Sequence, residues 1–90
     1  MKIEVTNAFE KKVYKITSKK VKEALLEVIK SLKSAENLSQ IQKIKPIIGH
    51  KNYYRIIVAE RYRLGIKLEN NIVWLLFFGI RNERTYKLFP

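Results

Sequence analysis

Ninety residues allow one compact domain with one core, and the absence of cysteine removes disulfides, thiolate metal sites and cysteine nucleophiles. Nineteen Lys and Arg against eight Asp and Glu give a formal charge of +11, a field that draws polyanions: nucleic acid, an anionic membrane surface or an acidic protein. Hydrophobic residues are 47% of the chain, with four Phe, five Tyr and one Trp, so the charge rides on a folding sequence and not on a disordered basic tail.

The first segment, Lys2-Ile3-Glu4-Val5-Thr6, alternates polar and apolar residues, the pattern of a short half-buried strand at a sheet edge. It lacks the continuous apolar stretch of a signal peptide. Asn7 offers an N-cap with Glu10 three residues on, which predicts a helix from about Ala8. Phe9, Val13 and Ile16 form its apolar stripe, with Lys11, Lys12 and Lys15 toward solvent. Ser18 repeats the cap signal. Val21, Leu25, Val28, Ile29 and Leu32 then fall at helical spacing, which predicts the longest helix over Lys19 to Lys33, its lysines on a solvated face. Thr17-Ser18 joins the two helices as a hairpin able to lie on a sheet.

Periodicity is lost over Ser34 to Ser39, a loop or short helical turn. Ile41, Ile44, Ile47 and Ile48 supply apolar contacts around Pro46, which cannot donate to a central ladder and marks an edge strand or a bend. Gly49-His50-Lys51-Asn52 is turn-like and opens the strand Tyr53 to Val58. A second strand runs from Tyr62 to Leu68. If Tyr54, Ile56 and Val58 share the core face with Tyr62, Leu64 and Ile66, Val58 must pair with Tyr62, leaving Ala59-Glu60-Arg61 as a three-residue connection. Glu69-Asn70-Asn71 makes a hairpin turn, since Asn tolerates positive φ, and Ile72 to Phe78 follows as the most buried, central strand, with Trp74, Phe77 and Phe78 read as core. The longest apolar run, Ile72 to Ile80, is nine residues, short of the ~20 of a membrane-spanning helix. A cytoplasmic single domain, residues 1 to 90, is expected.

The same alternation sends Arg55, Arg61, Arg63 and Lys67 to the face opposite the core, so one sheet serves as a hydrophobic wall and a cationic surface. Arg55, Arg63 and Arg81, with Lys51 and Tyr86, can meet in one concavity, and guanidinium groups grip phosphate oxygens bidentately at any relevant pH. Such a cluster stabilises the added charge of a pentacoordinate phosphorane. RNA brings its own 2′-hydroxyl nucleophile, so a metal-free ribonuclease needs only a base and an acid, for which Tyr86, Lys51, His50 and Glu60 are the candidates. The competing reading is a cationic binding surface without chemistry. A lone His50 builds no histidine metal centre, and neither a metal nor a cofactor is expected.

Across nearly its whole length the chain resembles the RelE/ParE superfamily of type II toxins. The resemblance is carried by Ala35-Glu36-Asn37-Leu38-Ser39 after the helical hairpin, Gly49-His50-Lys51-Asn52-Tyr53-Tyr54-Arg55-Ile56, Tyr62-Arg63-Leu64-Gly65-Ile66 and the ending Tyr86-Lys87-Leu88-Phe89-Pro90. It implies an α+β fold: an N-terminal edge strand and a two-helix hairpin packed on a mainly antiparallel, twisted sheet of about four strands. For RelE-like members it implies a ribosome-dependent endoribonuclease that cuts mRNA in the A site, held in check by an acidic cognate antitoxin. Residue by residue, Arg63 matches the central arginine of the strand motif, Arg55 a basic position in the preceding strand, Tyr86 the C-terminal tyrosine, and Arg81 a functional arginine of RelE. Lys51, Arg61, Lys67, Arg84, Lys87 and His50 are the accompanying RNA-binding candidates. Three departures are visible. Close relatives usually carry histidine before Arg-Lys-Asp-Ile-Tyr where this chain has Arg81-Asn82-Glu83-Arg84-Thr85-Tyr86, Ile57 replaces a frequently basic residue, and Ala59-Glu60-Arg61 stands where a Gly-Asp turn one residue shorter is usual. The missing histidine favours an arginine and tyrosine mechanism, and keeps open a ParE-like gyrase inhibitor that cuts nothing or a catalytically inactive RNA-binding module.

Overall fold

In the computed structural model, which describes residues 1 to 81, the chain runs β1 (Lys2–Val5), α1 (Asn7–Tyr14), α2 (Lys19–Ser34), a single 3₁₀ turn (Leu38–Gln40), β2 (Ile44–Pro46), β3 (Tyr53–Val58), β4 (Tyr62–Glu69) and β5 (Ile72–Ile80). The strands form one sheet in the order β1-β5-β4-β3-β2, antiparallel throughout except for β1, which runs parallel to β5. The expected α+β class holds, with five strands where about four were expected. The additional one is β2, three residues ending in Pro46, placed at the sheet edge where the missing proline N–H costs no ladder bond.

Local signals set the helices. Thr6, and not Asn7, is the N-cap of α1: its hydroxyl accepts from the Phe9 N–H at 3.2 Å and donates to the Leu75 carbonyl at 2.8 Å, a bond to the sheet that Asn7 does not make. The helix ends at Tyr14, so Ile16 packs from the connection and not from the helix. Ser18 caps α2 through the Val21 N–H. At the other end of α2 the Met1 ammonium donates to the carbonyls of Leu32, Lys33 and Ala35 at 3.1, 2.8 and 2.9 Å. A positive group on carbonyls that a helix end leaves unpaired suits both hydrogen bonding and the helix dipole, and it ties β1 to α2.

The helices cover one face of the sheet. Phe9, Val21, Leu25 and Leu32 meet Ile56, Val58, Leu64, Ile66, Val73, Leu75 and Phe78 in a single cluster, with Leu32, Leu64, Ile66, Val73 and Leu75 fully buried. No polar or charged side chain of the described residues is buried. Val58 pairs with Tyr62, as the matching of faces required, and Asn70 and Asn71 make the two-residue turn at φ 52° and 63° that closes β4 to β5.

One expectation is overturned. Trp74 is only half-buried and does not belong to the core, and Phe77, although buried at 5% exposure, lies outside the helix-side cluster. Between Gly65 and Ile66 the register shifts, because β5 carries one extra residue, Leu76, between the partners of these two positions. Up to Leu75 the odd-numbered residues point inward; beyond the bulge Phe78 and Ile80 do. Trp74 and Phe77 are therefore on the far face, opposite Lys67 and Gly65.

Candidate nucleic-acid interface

Strand alternation and register arrange the far face in three cross-strand rows. Ile57, Arg63 and Gly79 form the first; Lys45, Arg55, Gly65 and Phe77 the second; Tyr53, Lys67, Trp74 and Glu4 the third. Arg55 and Arg63 are diagonal neighbours, with Cα atoms roughly 7–8 Å apart in such a geometry. The ladder continues one step past the first row, where the Arg81 N–H donates to the Arg61 carbonyl at 2.9 Å, bringing those two exposed arginines side by side. The structure thus gathers Arg55, Arg61, Arg63 and Arg81 toward one end of the face. Lys45 joins them beside Arg55, and Lys12 reaches the Phe77 ring from α1, its Nζ 5.6 Å from the ring centroid.

Arg63 is held in place by the turn before it. Its Nη1 donates to the carbonyls of Glu60 and Tyr62 at 2.8 and 2.9 Å. The Glu60 carbonyl belongs to a connection in which Ala59 and Glu60 both adopt left-handed backbone, φ 49° and 60°, a conformation costly for residues with a Cβ. The guanidinium offsets part of that cost and is aimed in return. Among the described residues its Nε and Nη2 hydrogens make no further bond and remain to meet a ligand.

The opposite end of the face has another character. Lys67 bonds Glu69 at 2.9 Å, and Lys2 approaches Glu4 at 3.7 Å, so these two strand lysines each have a carboxylate neighbour. Lys67 also lies 5.3 Å from the Tyr53 ring centroid. The hydrogen bond that Lys67 donates to Glu69, then the Glu69 charge, then Tyr53, raise the Lys67 pKa above its ordinary 10.5. His50 and Lys51 sit at this end, in the turn entering β3, with His50 edge-on to Tyr53. Five strand residues, roughly 17 Å, separate Tyr53 from Val58, so neither His50 nor Lys51 is gathered with Arg61 and Arg81. Tyr86, Arg84 and Lys87 lie outside the described residues. Sequence reading passed over Lys45 and Lys12: a three-residue strand is too short to show alternation, and Lys12 looked like one of several solvent-side lysines.

The helical side carries a second feature. Phe9, Val13, Tyr14, Leu25, Leu26 and Ile29 line an apolar groove of about 540 Å³ between α1 and α2, with Tyr14 90% and Leu26 55% exposed. Glu10 and Lys22 are in its lining, and Lys11, Lys15, Lys19, Lys20 and Lys30 are exposed on the same two helices or just beyond them. Among the described residues no three His, Asp or Glu side chains come together as metal ligands, and no helix is long and apolar enough to cross a membrane.

No protein-family model and no curated protein sequence matches the chain. Solved structures do. The toxin of the RelB-RelE antitoxin-toxin complex from Methanococcus jannaschii superposes with a TM-score of 0.79 over 96% of this chain and 98% of that one, at 24% identity. A chain of the Escherichia coli DinJ-YafQ complex gives 0.58 at 20% identity, over 87% and 90% of the two chains. HP0894 from Helicobacter pylori gives 0.57 at 21%, over 91% and 96%. At these identities the likeness is one of fold, and the fold is RelE-like.

Proposed function

We propose that the protein is the toxin of a type II toxin-antitoxin pair and a ribosome-dependent endoribonuclease that cleaves mRNA. The observation that carries this reading is the row arrangement of the far face: four arginines gathered at one end of a RelE-like sheet, with no carboxylate on the strands there among the described residues. Arg55, Arg63 and Arg81 hold the non-bridging oxygens of the scissile phosphate and stabilise the charge gained as the phosphorane forms. The 2′-oxygen attacks phosphorus while a base takes its proton; the bond to the 5′-oxygen breaks and an acid protonates the leaving group, giving a 2′,3′-cyclic phosphate and a 5′-hydroxyl. Tyr86, from the family resemblance, is the candidate acid, base or stacking group, and Lys51, Lys67, Arg61, Arg84, Lys87 and His50 bind the flanking RNA. No metal takes part in the scheme.

The partner is an acidic antitoxin; the RelE neighbour is in an antitoxin-toxin complex with RelB, and the YafQ neighbour in a complex with DinJ. The lysine-rimmed apolar groove of the helical hairpin suits an acidic amphipathic helix, and its charge disfavours a second copy of this chain.

Controlled expression in a bacterial host tests the reading. Growth arrest with transcripts cut inside their coding regions, relieved by the adjacent acidic gene product, is expected. Arrest with intact transcripts and gyrase-dependent DNA breaks would contradict it and support a gyrase inhibitor instead.

A further inference from the structure

The far face is divided chemically, and its ion-paired end has the makings of a nucleobase site. In the row Tyr53, Lys67, Trp74 and Glu4 the indole is half-buried yet makes no part of the core, because the bulge at Leu76 leaves Trp74 on the face away from the helices. Its cross-strand neighbours are Lys67 and Glu4, and both belong to ion pairs closed within the protein, Lys67 with Glu69 and Glu4 with Lys2. Those paired charges attract phosphate weakly. Lys67, the cross-strand neighbour of the indole, is further occupied by the Tyr53 ring on the next strand, and His50 meets that ring edge-on at 6.1 Å, so Tyr53 and Lys67 form a braced wall along the row that leads to the indole. A half-buried indole whose two cross-strand neighbours are both held in ion pairs favours the flat, apolar face of a base over a phosphate.

The position along the sheet is informative too. Arg63 and Lys67 are four residues apart on β4, roughly 13 Å. A single strand gripped by its phosphate at Arg63 and laid along β4 brings a base a few nucleotides away onto Trp74. We infer that Trp74, backed by the wall of Tyr53 and Lys67, is a stacking subsite for a nucleobase of the bound RNA, outside the cleaved linkage. This rests on the proposed RNA-cleaving function and adds a residue that the family resemblance does not assign.

The chain has one tryptophan, so its fluorescence reports on this subsite alone. The probe is a short fluorescein-labelled, fully 2′-O-methylated oligoribonucleotide, which lacks the nucleophile and is not cut. Polarisation of the label reads total binding at low salt, and Trp74 emission reads stacking. Binding accompanied by quenching is expected, together with a loss of roughly ten-fold or more in affinity in Trp74→Leu and a smaller loss in Trp74→Phe, which keeps a ring and the fold. An oligonucleotide made abasic at successive positions identifies the stacked base: one position removes the quenching while phosphate binding persists. Binding with unchanged emission, or Trp74→Leu and Trp74→Phe variants that bind like the parent, would overturn the subsite and leave the RNA reading standing. No binding at any salt would overturn both.

Discussion

Arg63 has two tasks that use different atoms. Its Nη1 is committed to the carbonyls of Glu60 and Tyr62, which orients the guanidinium, and Nε and Nη2 are left for phosphate. Lysine keeps the charge but cannot bond two carbonyls and a phosphate in one plane. Arg63→Lys is therefore expected to lose most of the cleavage rate, and Arg63→Ala about 10²-fold or more. Single-turnover cleavage beside a thermal melt separates the two tasks. Lys67 behaves differently. Glu69 raises its pKa, so its contribution to the folded state is whole below pH 10.5 and is lost as pH rises from there through the raised value. Thermal melts of Lys67→Met against the parent should show a difference that is constant from pH 6 to 9 and shrinks only above about pH 10.5.

At the scale of elements, the β3–β4 connection stores strain that a substitution can release. Ala59 at φ 49° pays for its Cβ, and glycine there would not. The gain is set against glycine's greater freedom in the unfolded chain, so Ala59→Gly is expected to stabilise by about 0.5–1 kcal/mol, a rise of a few degrees in Tm. In the core, Leu64→Ala removes a fully buried side chain between Phe78 and Ile56 and should cost about 3 kcal/mol in urea unfolding. The connection was legible beforehand because two strands with well-marked faces admit one register: Val58 had to meet Tyr62. The same logic failed in β5, where nine consecutive apolar residues show no alternation and nothing in the sequence marks Leu76 as the extra residue. That is why Trp74 was assigned to the core, and why Phe77, buried as expected, was not placed on the far face. The α1 cap slipped for a smaller reason: Thr6 and Asn7 are both good caps, and the bond from Thr6 to Leu75, 69 residues away, chooses between them.

Across the whole molecule, charge and shape act on two sides. On the proposed function, the sheet's arginine end faces phosphate and the hairpin groove faces a partner. If roughly four phosphates of a single strand are neutralised, log K should fall against log salt with a slope of about −3, and each arginine lost should reduce that slope by about 0.7. Leu26→Glu, in the groove, should weaken the antitoxin complex in calorimetry at least ten-fold and leave cleavage by the free protein intact, since Leu26 is far from the arginine face and exposed in the free chain. The α+β layout, the hairpin and the cationic face were all readable from periodicity and alternation, whereas the partition of that face into a charged and an aromatic end needed the register.

The measurement that bears most directly on the central claim is primer extension on a defined mRNA held on programmed ribosomes, run with the parent protein and with Arg63→Ala. Cuts at the A-site codon that vanish or fall about 10²-fold in the variant are predicted. Intact mRNA with correctly folded parent protein, or cuts of equal strength in both, would contradict the assignment of cleavage to the arginine face.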